Sequence, residues 1–300
     1  MAPSSAFSAT ASRLGAYVDL TKPRLLPLVL FTGLPVFTLA AGRVGVRPSL
    51  GFAALTLLGI ALAAASANTL NAYLERDKDA RMERTRNRPL PAGRLEPRAA
   101  LAFGLALGVA STALLAATAG RAAAGVGIAS ILFYVFVYTI WLKPRSAWNA
   151  VIGGAAGAAA PLIADAALHG TVTAVGLCLF AIVFFWQPPH VWAIALYRKR
   201  DYEAAGIPML PSVIGDHPTR WRMLWYALGL VPVTLAPVAL GLLGRTYGAV
   251  ALGMNAWFVV SVLRLLRERS PAAAQRVFRV SLAYLFALFL AMNIDLVVRF

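Results

Sequence analysis

The sequence predicts an all-α integral membrane protein with about nine transmembrane helices. Three observations carry this reading. Of 300 residues, 60% are hydrophobic and 13% charged, whereas a soluble domain carries about 25% charged residues. The apolar residues form continuous stretches and do not alternate with period two, which favours helices over a β-barrel. The basic residues fall almost entirely between alternate stretches.

A helix needs roughly 20 apolar residues to cross a bilayer. The stretches run near 25–42, 49–70, 99–120, 122–142, 149–168, 171–196, 223–243, 246–263 and 280–298. The long run across 99–142 is divided only by Gly120 and Arg121. With nine spans and the N-terminus inside, 23 of the 28 basic residues face the cytoplasm. The five outside are Arg43, Arg47, Arg121, Arg245 and Arg299. Lys and Arg accumulate in cytoplasmic loops, and one span more or fewer upstream would scramble this asymmetry. The net charge of +16 therefore reads as topology plus anion handling. Nucleic-acid binding explains it poorly, because the charges are dispersed among membrane-flanking loops. Cys178 is the single cysteine, so there is no disulfide framework. Residues 1–20 lack a signal-peptide core and read as a cytoplasmic tail, leaving 21–300 as one polytopic domain.

Acidic residues number only twelve, so their positions are informative. Five lie in 75–96 and three in 201–216, both on the cytoplasmic face of this topology. Loops rich in both acids and bases suit a metal–polyphosphate complex, with carboxylates on the cation and guanidinium groups on the phosphates. In the first segment, Asn71, Glu75 and Asp79 are spaced i, i+4, i+8, which stacks three oxygen side chains on one helical face about 6 Å apart. A hard cation such as Mg²⁺ accepts such ligands. Arg84, Arg86 and Arg88 follow and can neutralise a diphosphate, and Pro89 and Pro91 end the helix. On spacing alone the segment suits equally well a solvated loop with surface ion pairs worth about 0–1 kcal/mol each.

The second segment joins Trp186-Gln187-Pro188-Pro189-His190 to Tyr197 and Asp201. Helical spacing predicts His190, Tyr197 and Asp201 on one face at the inner end of the sixth span. Pro188 and Pro189 are expected to break that span, which a membrane helix tolerates where it lines a cavity or is buried in protein. His190, flanked by aromatics at membrane depth, is a functional candidate. The position also suits a structural histidine bonded to a carbonyl.

Asn71-x-x-x-Glu75-x-x-x-Asp79 followed by Met82-Glu83-Arg84-Thr85-x-Asn87-Arg88-Pro89 resembles the first aspartate-rich motif of the UbiA-type intramembrane prenyltransferases. Other stretches resemble the protoheme IX farnesyltransferase (haem O synthase) branch. They are Leu20-Thr21-Lys22-Pro23-Arg24, Tyr138-Thr139-x-Trp141-Leu142-Lys143, Asn149-x-Val151-Ile152-Gly153-Gly154, Trp186-Gln187-x-Pro189-His190 and Tyr197-Arg198-x-x-Asp201-Tyr202 through Ala205-Gly206-Ile207-Pro208-Met209-Leu210-Pro211. The resemblance runs from about residue 18 to the last span. Two departures from the wider family are Glu75, where Asp is common, and Tyr197 with Asp201 in place of two aspartates.

What the resemblance implies is a bundle of nine helices around a central cavity that transfers farnesyl from farnesyl diphosphate to haem B. The expected roles are Mg²⁺ on Asn71, Glu75, Asp79 and Asp201, with Tyr197 in the second motif. Arg84, Arg88, Lys143 and Lys199 are expected on the diphosphate, and His190 on the haem. The implied setting is the cell inner membrane, with haem A synthase or terminal oxidase assembly as partners. Rival readings are a prenyltransferase for a quinone precursor or chlorophyll-like tetrapyrrole, an organic-anion transporter, and an oxidase assembly factor. A transporter would spread its polar groups towards the midplane, whereas here they cluster at one surface.

Overall fold

The computed structural model describes residues 13–43 and 48–299, with the side chains of 40–43 and 297–299 left out. The first twelve residues of the expected tail and the outer-side Arg47 lie outside the described residues, as do the side chains of Arg43 and Arg299. All regular structure among the described residues is helical. The helices are α1 (Leu26–Arg43), α2 (Leu50–Asp79), α3 (Pro97–Leu132) running into a π-helical segment (Phe133–Leu142), α4 (Asn149–Gly157), α5 (Ala160–His169) and α6 (Ala174–Tyr197). After them come α7 (Lys199–Ala204), α8 (Leu210–Ile214), α9 (Asp216–Ala239), α10 (Arg245–Glu268) and α11 (Pro271–Arg299).

Seven of these segments are long and apolar enough to cross a membrane, and α1 adds a shorter apolar helix. One of the seven, Pro97–Leu142, has 46 residues. Straight, it would reach about 69 Å, twice the thickness of a bilayer core. Gly120 resolves this, with φ 86° and ψ 171° inside the run. Only glycine adopts that backbone readily, and beyond it the chain folds back, bringing Gly127 against Leu115 and Ile131 near Gly108. The expected division at Gly120 is therefore a hairpin, and the described residues contain nine apolar spans.

The polar groups inside the bundle are few and specific. Ser66 Oγ donates to Gly104 O and Ser111 Oγ to Gly59 O, both at 2.7 Å, so α2 and α3 meet through small residues and mutual hydrogen bonds. A chain from Tyr284 through Asn255 to Thr234 ties α11, α10 and α9 together. At the end remote from the acidic segments, two buried aspartates cap helices other than their own. Asp165 accepts from Thr173 N and Oγ1 at the start of α6 and from His169 Nδ1. Asp295 accepts from Gly244 N and Tyr247 N at the start of α10.

Three local expectations change. Residues 13–20, assigned to the tail, form a helix whose Ala16 and Leu20 are buried against Ala72, Leu90, Leu95 and Ala100. The sixth span runs unbroken through Pro188 and Pro189, both buried. Each proline removes one backbone donor, but packing against α4, α9 and α11 holds the helix together. The break comes instead at Arg198 (φ −114°, ψ 24°), between α6 and α7. Tyr197 and Asp201 therefore do not share the continuous helical face that i, i+4 spacing predicted.

Candidate active site

Helix α2 continues two turns past its predicted end, so Asn71, Glu75 and Asp79 lie on one face of its last turns. All three are buried, at 2%, 5% and 2% exposure. The bare spacing left a solvated loop open, and burial excludes it. Charge at this depth has to be matched, and each of the three side chains has a partner. Lys143 Nζ lies 2.6 Å from Glu75 Oε2, Arg88 Nη1 2.8 Å from Asp79 Oδ2, and Lys22 Nζ donates to Asn71 Oδ1 at 3.1 Å. Asn71 Nδ2 in turn donates to Thr139 Oγ1 at 3.1 Å. Glu75 Oε1 is buried with no hydrogen-bond partner.

The cations are brought in by local geometry. Lys22 has φ 55°, a left-handed conformation for a non-glycine residue that ends the 13–20 helix. Such a backbone costs on the order of 1–3 kcal/mol and turns the side chain towards α2. Burial, with Arg88 and Lys143 nearby, pushes its pKa down to about 7, while Glu75 and Asp79 act in the other direction. Lys143 follows the π-helical segment, where Lys143 N bonds to Tyr138 O. Burial works against its charge, but the Glu75 carboxylate outweighs this and holds its pKa above the ordinary lysine value. Arg88 is set by the loop after α2, which Thr85 Oγ1 ties to Asp79 O at 2.7 Å.

Of the expected residues, Asn71, Glu75, Asp79, Arg88 and Lys143 thus form one ionic cluster. The others lie elsewhere. Arg84 is exposed on the loop. Lys199 bridges to Asp216 Oδ1 at 3.0 Å, and Asp216 also meets the buried Arg220 at 3.5 Å, so Lys199 ties α7 to α9. Asp201 and Tyr197 line a neighbouring groove with Glu83 and Pro271. Asp201 Oδ2 is buried there without a hydrogen-bond partner. The two acid-bearing loops do pack together at one end of the bundle, through Met82 against Ala195, Ala205, Ile207 and Met209. His190 and Tyr197 both face Phe278 of α11, with ring centroids 4.9 and 6.3 Å away. Trp186 stacks on the His190 ring at 4.4 Å.

Lys22 carries no role in the sequence analysis although its stretch is singled out. The available signal was a cation next to proline just before the first span. One turn below the ionic cluster, Asn68, Tyr134, Tyr138 and Gln187 line a cavity of about 330 Å³ whose remaining wall is mainly Ala, Gly and Val. Lys143 Nζ lies 5.5 Å from the centre of the Tyr138 ring, so Tyr138 stands between the cavity wall and the cluster. The donors suit magnesium. Among the described residues no three His, Cys, Asp or Glu side chains gather as a ligand set, but magnesium uses one or two carboxylates and completes its shell from water and phosphate. The unpartnered Glu75 Oε1 is such a donor.

The chain belongs to the UbiA prenyltransferase family, matched over residues 29–292, so the buried acid–base cluster lies in the fold of an intramembrane prenyltransferase. A protoheme IX farnesyltransferase of Symbiobacterium thermophilum is 46% identical, the alignment covering 93% of each chain. Another from Acidiphilium cryptum is 46% identical over 94% of this chain and 90% of its own. In structure, a UbiA homologue from Archaeoglobus fulgidus bound to DMAPP and Mg²⁺ superposes with a TM-score of 0.63 at 19% identity, covering 93% of this chain and 99% of that one. A digeranylgeranylglyceryl phosphate synthase structure gives 0.78 at 16%, covering 95% and 99%. These two likenesses show the shared fold.

Proposed function

We propose that this prenyltransferase moves the farnesyl group of farnesyl diphosphate onto a vinyl group of haem B, with addition of water, giving haem O and diphosphate. The observation that carries the reading is the buried cluster of Lys22, Asn71, Glu75, Asp79, Arg88 and Lys143, one helical turn along α2 from the apolar cavity. The near-half identity to protoheme IX farnesyltransferases along most of the chain supports the choice of acceptor.

Asn71, Glu75 and Asp79 would hold Mg²⁺, and Asp201, in the neighbouring groove of the second loop, would reach it only through water. Bound there, the ion supplies neutralising charge to a departing diphosphate. Arg88 and Lys143 are fixed cations that stabilise the same developing charge at low reorganisation cost, and Lys22 joins them once the diphosphate draws it to its charged form. Arg84 and Lys199, one exposed and one paired with Asp216, are the outer members of that basic set. The apolar walls exclude bulk water from the allylic cation, and the Tyr134 and Tyr138 rings offer it π faces. Tyr197 closes the neighbouring groove beside Asp201.

His190 is the residue we assign to the haem iron. Ser281 Oγ donates its one proton to Phe278 O at 2.7 Å. The 2.7 Å contact from His190 Nδ1 to Ser281 Oγ is then donated by the ring, which leaves Nε2 with a lone pair. A ring held by its other N–H is the form that ligates a metal. His190→Ala is expected to weaken haem capture while keeping farnesyl diphosphate binding, read by haem titration of the purified protein. Unchanged haem affinity returns His190 to a packing role.

The protein is a multi-pass membrane protein, and this reading sets it in the inner membrane as one domain that includes the helix over 13–20. The N-terminus and the ionic cluster face the cytoplasm, and the product passes to haem A synthase or to terminal oxidase assembly. The test is incubation of purified protein with haem B, farnesyl diphosphate and Mg²⁺, beside an equal reaction with 4-hydroxybenzoate. A product heavier than haem B by a farnesyl group and a hydroxyl is expected. Prenylation of the benzoate alone would reject haem as acceptor.

A further inference from the structure

The cavity contains an amide that neither the ionic cluster nor the helix packing fully engages. Gln187 on α6 is half-buried in its wall. Its Nε2 donates to Gly154 O of α4 at 2.8 Å, which fixes the plane of the amide. Its Oε1 accepts from no described residue. Gly154 and Gly157 line the same cavity, and a Cβ at either would sit 3.3 or 2.9 Å from Oε1. A Cβ at Gly157 would therefore displace the amide, and one at Gly154 would crowd it. Among the other polar groups of the wall, Asn68 Nδ2 donates to Thr21 O and Ser130 Oγ to Gly127 O, while Asn68 Oδ1 and the Tyr134 and Tyr138 hydroxyls share the chamber with Gln187. An open amide acceptor within a membrane bundle is costly unless something polar binds it.

We propose that Gln187 is the catalytic residue that holds the water which ends the reaction. The inference rests on haem farnesylation, in which water is the one small polar reactant that has to enter an otherwise apolar chamber. The C1–O bond of farnesyl diphosphate breaks, its electron pair leaving with the diphosphate. The vinyl π pair forms the new carbon–carbon bond to C1 from the terminal vinyl carbon, leaving the cation on the carbon beside the macrocycle. Water held on Gln187 Oε1 by one O–H directs its oxygen lone pair at that carbon and forms the C–O bond. The proton released goes to the departed diphosphate, the strongest free base nearby. A neutral amide suits this task, because it orients water without removing a proton from the cation. Proton loss would give an alkene, lighter by one water.

The ratio of hydroxylated to alkene product measures this directly and does not depend on how much protein is active. In Gln187→Leu the ratio is expected to fall at least about tenfold, with farnesyl diphosphate still consumed. Gly157→Ala keeps the amide but crowds Oε1, and a smaller fall in the same direction is expected. An unchanged ratio in Gly157→Ala, with Gln187→Leu either unchanged or without product, overturns the proposal and leaves Gln187 as a packing residue. If the wild-type protein yields no farnesylated haem at all, the haem reading fails first and the role of Gln187 falls with it.

Discussion

At the scale of single residues, the carboxylates buried on α2 are each matched by a cation. Asp79 and Glu75 survive burial because Arg88 and Lys143 touch them, and removing one member of a buried pair leaves the other uncompensated. Asp79→Asn should therefore lower turnover at least about 100-fold in expressed, folded protein, measured as pyrophosphate release. Turnover like the wild type would remove Asp79 from the diphosphate complex. Lys22→Met should raise the KM for farnesyl diphosphate about tenfold, if the cation acts mainly in binding. An equal fall in kcat at unchanged KM would assign Lys22 to the transition state alone. At the opposite end, Asp165 and Asp295 have the same depth of burial but bond to backbone donors at helix starts. The depth is alike and the partners differ, backbone donors at one end and side-chain cations at the other.

At the scale of elements, unusual backbone is found at the two places that build the site. The π-helical segment Phe133–Leu142 carries Tyr134, Tyr138 and Thr139, all of which face the cavity or the ionic cluster. Such segments are rare and favour functional positions. The Gly120 hairpin returns the chain so that this segment packs beside α2. Gly120→Ala puts a Cβ on a backbone that only glycine tolerates well, at a cost of about 1–3 kcal/mol. Thermal unfolding in detergent should shift down accordingly, and an unshifted midpoint would mean that the turn relaxes freely. Strap contacts complete the picture. Lys199, Asp216 and Arg220 tie α7 to α9, with Arg220 also reaching Arg269 O at 3.5 Å.

At the scale of the whole molecule, the charge asymmetry makes a topological prediction. Cys178 is the only native cysteine, so a Cys178→Ala background allows single reporters. Arg84→Cys should react with an impermeant thiol reagent only from the cytoplasmic side of oriented vesicles, and Gly170→Cys only from the other. The reverse pattern would invert the membrane orientation while leaving the fold intact.

The nine spans, the Gly120 division and the acidic face of α2 were legible in the sequence. They depend on local chemistry: apolar length, a residue without Cβ, and a period of 3.6. Tertiary structure alone decided that Lys22 reaches Asn71, that Lys199 turns to Asp216, that Pro188 and Pro189 leave α6 whole, and that Gln187 presents a free oxygen to the cavity. Each is set by a partner 17 or more residues away or by packing from neighbouring helices. Spacing along one helix says nothing of which distant side chain will complete a buried charge or leave an amide open.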